Sequence, residues 1–157
     1  MKAANLRVKS CLEKYSLDQG IRLLDDAVRT AKAAAEALGC STSQIANSLI
    51  FRDMHSDGAV LIMCSGGYRV DLDKVQLLTG LSLGKADAEF VKAQSGFAIG
   101  GVAPVAHTKP LPTFLDISLR QHQVIWAAAG TPESIFPMSP DQLEQMTAGK
   151  WIDASVD

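Results

Sequence analysis

Residues 48–64 read SLIFRDMHSDGAVLIMC, and the two apolar runs inside that stretch decide what kind of fold this chain makes. SLIF (48–51) and AVLIMC (59–64) are apolar runs of strand length bounded by Asp, Ser and Gly, the pattern of buried strands. The polar segment RDMHSDG between them makes the pair a hairpin. On its N-terminal side, TAKAAAEALG (30–39) is a run of strong helix formers, with Thr30 as N-cap and Gly39 as C-terminal cap. Residues 3–15, AANLRVKSCLEKY, place Leu6, Val8, Cys11, Leu12 and Tyr15 at mostly three- and four-residue intervals, which predicts a short amphipathic helix. The pattern from Ser16 or Asp18 through Ile21, Leu23, Leu24 and Val28 predicts a further helix, broken near Thr30.

On the C-terminal side, SGG (65–67) makes a turn and YRVD (68–71) a short strand. Asp71 caps a helix through LDKVQLLTG, and KADAEFVKAQSG (85–96) is another helix, ended by Gly96. FAIGGV (97–102), TFLDISL (113–119) and QVIWAAAG (123–130) read as strands. Ser139, with Pro140 at the first helical position, starts PDQLEQMTAG, and KWIDASV closes the stretch. Helices surround short apolar strands with no βαβ rhythm, so the expected class is α+β with a mostly buried mixed sheet. No repeat, linker or low-complexity segment interrupts residues 1–157, so one domain is expected.

Composition narrows function. At 157 residues the chain can bury a sizeable core without metals or disulfides, and a hydrophobic content of 47% with 20% charged residues is that of an ordinary globular protein. A net charge of -2 offers no broad field for nucleic acid or an anionic membrane, so any RNA contact has to be local. Cys11, Cys40 and Cys64 are odd in number, widely spaced and without a CxxC pair, as expected of reduced, buried thiols rather than a disulfide framework or a zinc site. MKAANLRVKS has no apolar h-region and no stretch reaches membrane-span length, so the expectation is a cytoplasmic protein with no membrane partner.

The stretch SGFAIGGVAPVAHTKPLP (95–112) holds the first candidate site. Gly100 and Gly101 let backbone groups approach a ligand closely, and Pro104 stiffens the chain beyond them. A tight strand end explains the same residues, and neither GxGxxG nor GxxxxGK[ST] is present. His107 is a hydrogen-bond anchor, a surface residue or a base. His55 and His122 sit in polar, exposed surroundings. A triad of Ser65 or Ser95 with His107 and Asp116 lacks a GxSxG elbow, and the histidines are not spaced as metal ligands. In QIANSLIF (44–51), Asn47 and Ser48 precede the apolar strand and stand either at the mouth of a pocket or as local backbone caps. Lys85, Lys92, Lys109 and Arg120 are potential phosphate contacts or solvated surface charges. Phe136 and Met138 read as core in preference to a dimer surface.

Four separated stretches carry a resemblance: RTAKAAAEALGCSTSQIANSLIF (29–51), VLIMCSGGYRVD (60–71), GFAIGGVAPVAHTKPLPTFLD (96–116) and VIWAAAGTPESIF (124–136). In that order they resemble the YbaK family, which is related to the editing domain inserted in bacterial prolyl-tRNA synthetases. The resemblance runs from about Thr30 to Ile152. It implies a mixed, barrel-like sheet flanked by helices, and a free-standing aminoacyl-tRNA deacylase acting in translation quality control. The implied substrate is mischarged tRNA, chiefly tRNA(Pro), with a synthetase or translation factor as a further partner. Water would be the nucleophile, with no metal and no cofactor. Carried over, the GxxxP loop is Gly100, Gly101, Val102, Ala103 and Pro104, whose backbone addresses the aminoacyl group and a developing oxyanion. His107 anchors that loop and Gly130 is a pocket-wall glycine. This chain departs from the family at two places. Asn47 stands where many members have lysine, leaving Asn47 and Ser48 to act with Gly100 and Gly101. Ala128 stands where the better-known branch has serine. The alternative reading is a weak or silent paralogue that binds aminoacyl-tRNA, an amino acid or a protein.

Overall fold

The hairpin around residues 48–64 is the centre of the molecule and extends beyond its apolar runs. The computed structural model describes residues 1–25, 28 and 30–157. In chain order these form α1 (Ala3–Leu12), β1 (Arg22–Leu23), α2 (Ala31–Leu38), β2 (Ile45–Asp53), β3 (Ala59–Ser65), β4 (Arg69–Val70), α3 (Leu72–Thr79) and β5 (Leu83–Gly84). There follow α4 (Ala88–Ser95), β6 (Thr113–Asp116), β7 (Ile125–Ala128), β8 (Ser134–Met138), α5 (Pro140–Thr147), β9 (Lys150–Ile152) and β10 (Ser155–Val156).

The main sheet runs β1-β8-β7-β2-β3-β6-β9, with β5 also on β2, while β4 and β10 form a separate pair. β2 and β3 pair antiparallel from Ala46 opposite Ser65 to Arg52 opposite Ala59. The contacts β2 to β7, β3 to β6 and β6 to β9 are parallel, so the sheet is mixed and flanked by helices, as expected. Every residue of β3 is buried. Successive strand residues face opposite ways, and both faces of β3 are covered, so the run has no polar alternation. Leu61 and Met63 pack into a core with Val8 and Leu12 of α1, Leu115, Phe136 and Leu143. Val60 and Ile62 pack on the other side with Val75 of α3, Ile152 and Ala154. Phe136 and Met138 are therefore core residues.

The helix boundaries follow their caps. Thr30 accepts the Ala33 N–H, Asp71 those of Asp73 and Lys74, Asp87 that of Phe90, and Ser139 that of Gln142.

Other expectations need correction. Residues 16–25 and 28 do not form the expected helix. Ser16 adopts a left-handed conformation, Asp18–Gly20 is a single 3-10 turn, and β1 pairs with β8 through Arg22 opposite Ile135 and Leu23 opposite Ser134. An open sheet edge and the Trp126 ring, 5.2 Å from the Arg22 guanidinium carbon, outweigh a modest helical pattern. The part of that expectation falling on residues 26, 27 and 29, including the break before Thr30, lies outside the described residues.

FAIGGV is not a strand either. Residues 97–112 contain neither helix nor strand, and the segment turns at Ala98–Gly101, where the Gly101 N–H donates to the Ala98 carbonyl at 2.9 Å. TFLDISL stops as a strand at Asp116, whose carboxylate accepts the Ser118 N–H and caps a 3-10 turn over Ile117–Gln121. β8 has no counterpart among the expected strands because Pro137 masks its pattern. Of the cysteines only Cys64 is buried, Cys11 and Cys40 being half-exposed. Among the described residues, no helix is long and apolar enough to cross a membrane.

Candidate functional site

β2 and β7 run side by side but pair only at Ile45 with Trp126 and Ala46 with Ala127. Beyond those positions the strands separate, and the gap opens into a cleft of about 310 Å³. This is the low end of small-molecule sites. Asn47 and Ser48 of β2, Trp126 and Ala128 of β7, and Gly100 and Val102 of the irregular segment line it, with Pro132 and Ile99 at its margin.

The ladder sets what β2 presents there. Asp53 N–H donates to the Gly58 carbonyl at 2.8 Å, and Gly66 N–H to the Ile45 carbonyl at 2.7 Å. Backbone groups of odd-numbered β2 residues therefore face β3, and those of Ser48 and Ile50 face the side that β7 has left. The side chains of Asn47 and Ser48 point to opposite faces. Ser48 shares its face with Ala46 and Ile50, and its Oγ donates to Met63 Sδ at 3.1 Å. Asn47 shares the face of Ile45, which packs with Ala34, Ala35 and Trp126. Its amide has no hydrogen-bond partner among the described residues.

The glycine loop divides between two places. Gly100, at φ +87°, and Val102 line the cleft. Gly101 is pressed against the segment Ala129–Glu133: a Cβ there would lie 2.7 Å from Thr131 Cα. Its N–H is spent on Ala98, so it does not point at a ligand. Among the described residues the Gly100 and Val102 amides have no acceptor. Ala103 is fully buried. Pro104 and His107 line a separate hollow with Cys11 and Lys109. Gly130, at φ +106°, abuts the Ala4 carbonyl and does not line the cleft.

His107 Nε2–H donates to the Ala103 carbonyl at 2.7 Å, and its ring meets Phe97 edge-on at 6.2 Å. Burial holds its pKa below the ordinary 6.5, the Ala103 bond opposes this, and the Arg7 charge adds to it. The unfolded chain then binds the proton more readily. Stability is complete above pH 6.5 and declines as the pH falls below it, by at most about 1.4 kcal/mol per pH unit. Urea unfolding across this range checks it: His107→Gln, which keeps an N–H donor, removes the slope, and an unchanged slope refutes the assignment.

The triad does not assemble. Ser65 donates to the Ser43 carbonyl, Ser95 to the Val91 carbonyl, and Asp116 is bonded within its own buried network. His55 is exposed, but His122 is half-buried, its Nε2 2.8 Å from Ser43 Oγ, which corrects the exposed reading. Arg120 is taken up by Asp141 and Glu144 and by the Trp151 ring, whereas Lys85, Lys92 and Lys109 are exposed. Among the described residues no titratable side chain lines the cleft, and no three of His, Cys, Asp and Glu stand close enough to share a metal ion. Sequence reading missed Trp126, Ile99 and Pro132 as lining residues. Only Ile99, an aliphatic residue directly before two glycines, had a usable signal in the sequence, and it stands 55% exposed.

Residues 25–146 match the aminoacyl-tRNA editing domain family. A solved structure described as a candidate trans-editing enzyme for prolyl tRNA synthetase is 38% identical, with a TM-score of 0.92 over 100% of this chain and 99% of that one. The uncharacterised protein YwhH of Bacillus subtilis is 29% identical over 96% of each chain. EbsC of Enterococcus faecalis, named as a candidate Cys-tRNA(Pro)/Cys-tRNA(Cys) deacylase, is 24% identical over 79% of this chain and 76% of that protein.

Proposed function

The chain belongs to the aminoacyl-tRNA editing domain family, and from that premise we propose that it is a free-standing deacylase that hydrolyses the ester of mischarged tRNA, with tRNA(Pro) as the carrier. The observation that carries this reading is the kind of group the cleft offers. Among the described residues no titratable side chain lines it, yet two of the lining residues, Gly100 and Val102, hold backbone amides without an acceptor. Such a site suits a reaction in which water attacks and fixed dipoles stabilise the oxyanion. In the proposed arrangement the aminoacyl side chain lies against Trp126 and Ala128, and the ester oxygen meets the Gly100 and Val102 amides. The Asn47 amide orients the terminal ribose or the attacking water, and the Ser48 backbone adds a donor and an acceptor at the open edge of β2. Gly101, Ala103, Pro104, His107 and Gly130 brace this loop and its neighbour. A small cleft that admits a small side chain and excludes a larger one is the second sieve that an apolar synthetic site needs.

The test is deacylation of Ala-, Cys- and Ser-charged tRNA(Pro) by the purified protein. Faster ester loss with at least one of them is expected, and no acceleration across the panel overturns the reading. Asn47→Ala is expected to slow the favoured substrate about tenfold, the worth of one good hydrogen bond, with unchanged thermal stability. A rate unchanged by that substitution removes Asn47 from the site. The same lack of an acid or base among the described residues of the cleft, with Asn47 in place of the family lysine, favours a second reading: a silent module that binds aminoacyl-tRNA or a free amino acid. Activity appearing only in Asn47→Lys selects that reading.

A further inference from the structure

We infer that Asn5 of α1, outside the 25–146 stretch that matches the family, is the positioning residue for the wall of the cleft. The inference rests on the reading of that cleft as the reacting site. Asn5 is 1% exposed. Its Nδ2 donates to the Ala129 carbonyl at 2.9 Å and to Ser134 Oγ at 2.8 Å, with Thr131 Oγ1 at 3.4 Å. Its Oδ1 accepts the Lys2 N–H at 3.1 Å, which fixes the orientation of the amide. Ser134 Oγ accepts the Thr131 N–H at 3.2 Å and lies 2.8 Å from Thr131 Oγ1. The polar groups of the turn after β7 therefore converge on one side chain of a helix more than a hundred residues away in sequence.

That turn is also what holds the glycine loop. Pro132 lines the cleft, and Thr131 with Pro132 leaves no room for even one methyl group on Gly101. Displacing the turn therefore displaces Gly100 and Val102, whose amides face the ligand in the proposed arrangement. Gly130 reinforces the docking: at φ +106° its backbone lies against the Ala4 carbonyl, where a Cβ would come within 2.8 Å. Asn5 never enters the cleft; it acts through Thr131, Ser134 and Gly101.

Amide hydrogen exchange on the full chain tests this directly. In Asn5→Ala the amides of Gly101 and Thr131 exchange at least tenfold faster, while those of β3 keep their protection. An unchanged Gly101 amide in the folded variant overturns the inference. Should Asn5→Ala fail to fold, Thr131→Val, which removes a single hydroxyl from the same network, carries the same measurement with a smaller change in the same direction and the same overturning result. Deacylation supplies the second readout: kcat falls about tenfold, KM for tRNA stays within twofold, and discrimination among Ala-, Cys- and Ser-tRNA(Pro) narrows. A uniform loss in proportion to the unfolded fraction assigns Asn5 a purely structural role. Failure of the parent protein to deacylate any of the panel defeats the proposed function alone, because the exchange result still decides the role of Asn5.

Discussion

Gly101→Val abolishes at least a hundredfold of the deacylation rate and lowers stability by about 1–3 kcal/mol, the usual cost of overpacking a close contact. The atoms met by a Cβ at this position are Thr131 Cα at 2.7 Å, Thr131 C at 2.8 Å and Pro132 N at 3.0 Å. All three are backbone and cannot rotate away. Their segment is held on its far side by Asn5, so the displacement falls on Gly100 and Val102. A shift of about 1 Å in groups that must face a developing charge is enough for a hundredfold loss. Gly100→Ala differs in kind: the nearest atoms are Pro132 carbons at 3.7 Å, so there is space, and the cost is the positive φ alone. Single-turnover deacylation with thermal melts separates the two variants. A Gly101→Val protein that keeps its rate within threefold is incompatible with the proposed site. In a parent that binds without hydrolysing, loss of binding in this variant supports the silent-module reading.

Asp116→Ala is the substitution expected to cost the most stability, about 3–5 kcal/mol. Asp116 is fully buried. Its Oδ1 accepts the Ala154 N–H at 2.8 Å, and its Oδ2 accepts the Ser118 N–H at 3.0 Å and the Ser155 hydroxyl at 2.7 Å. Removing the carboxylate strands two buried amides and frees Ala154 and Ser155, the link from β9 to β10, from the end of β6. The carboxylate thus ties the C-terminal strands to the sheet and has no place in a catalytic triad. The thiol of Cys64, 3.9 Å from Oδ2, is pushed up to about 11, by burial first and by this neighbouring charge second. In Asp116→Asn the second cause disappears and the Cys64 thiol ionises more readily, while one accepting oxygen remains. Urea unfolding measures both variants: Asp116→Ala within about 1 kcal/mol of the parent contradicts this account, as does Asp116→Asn being the less stable of the two.

Much of the candidate site was legible at the level of segments and not of groups. The glycine loop and the start of β2 do meet, but only Gly100 and Val102 of the loop line the cleft, and Asn47 and Ser48 project to opposite sides of one strand. Adjacent positions look like a pair on paper, and the pleat separates them. His107 and Pro104 are close to Gly100 in sequence yet face another hollow, because the chain passes inward through the buried Val102 and Ala103 before it reaches them.

What the sequence by itself determined are the features decided within a few residues. Thr30, Asp71, Asp87 and Ser139 cap their helices because a side-chain oxygen reaches an N–H two or three residues on. β3 is a strand buried on both faces because nothing polar interrupts its run. Tertiary structure alone decided which edges pair and where pairing stops. Residues 22–23 became a strand because β8 offered an edge, and the cleft exists because β7 leaves β2 after two residue pairs. The turn that walls the cleft is placed by Asn5 across 124 to 129 residues of chain. Each of these choices was made between partners distant in sequence, where burial and the satisfaction of backbone hydrogen bonds outweigh local propensity.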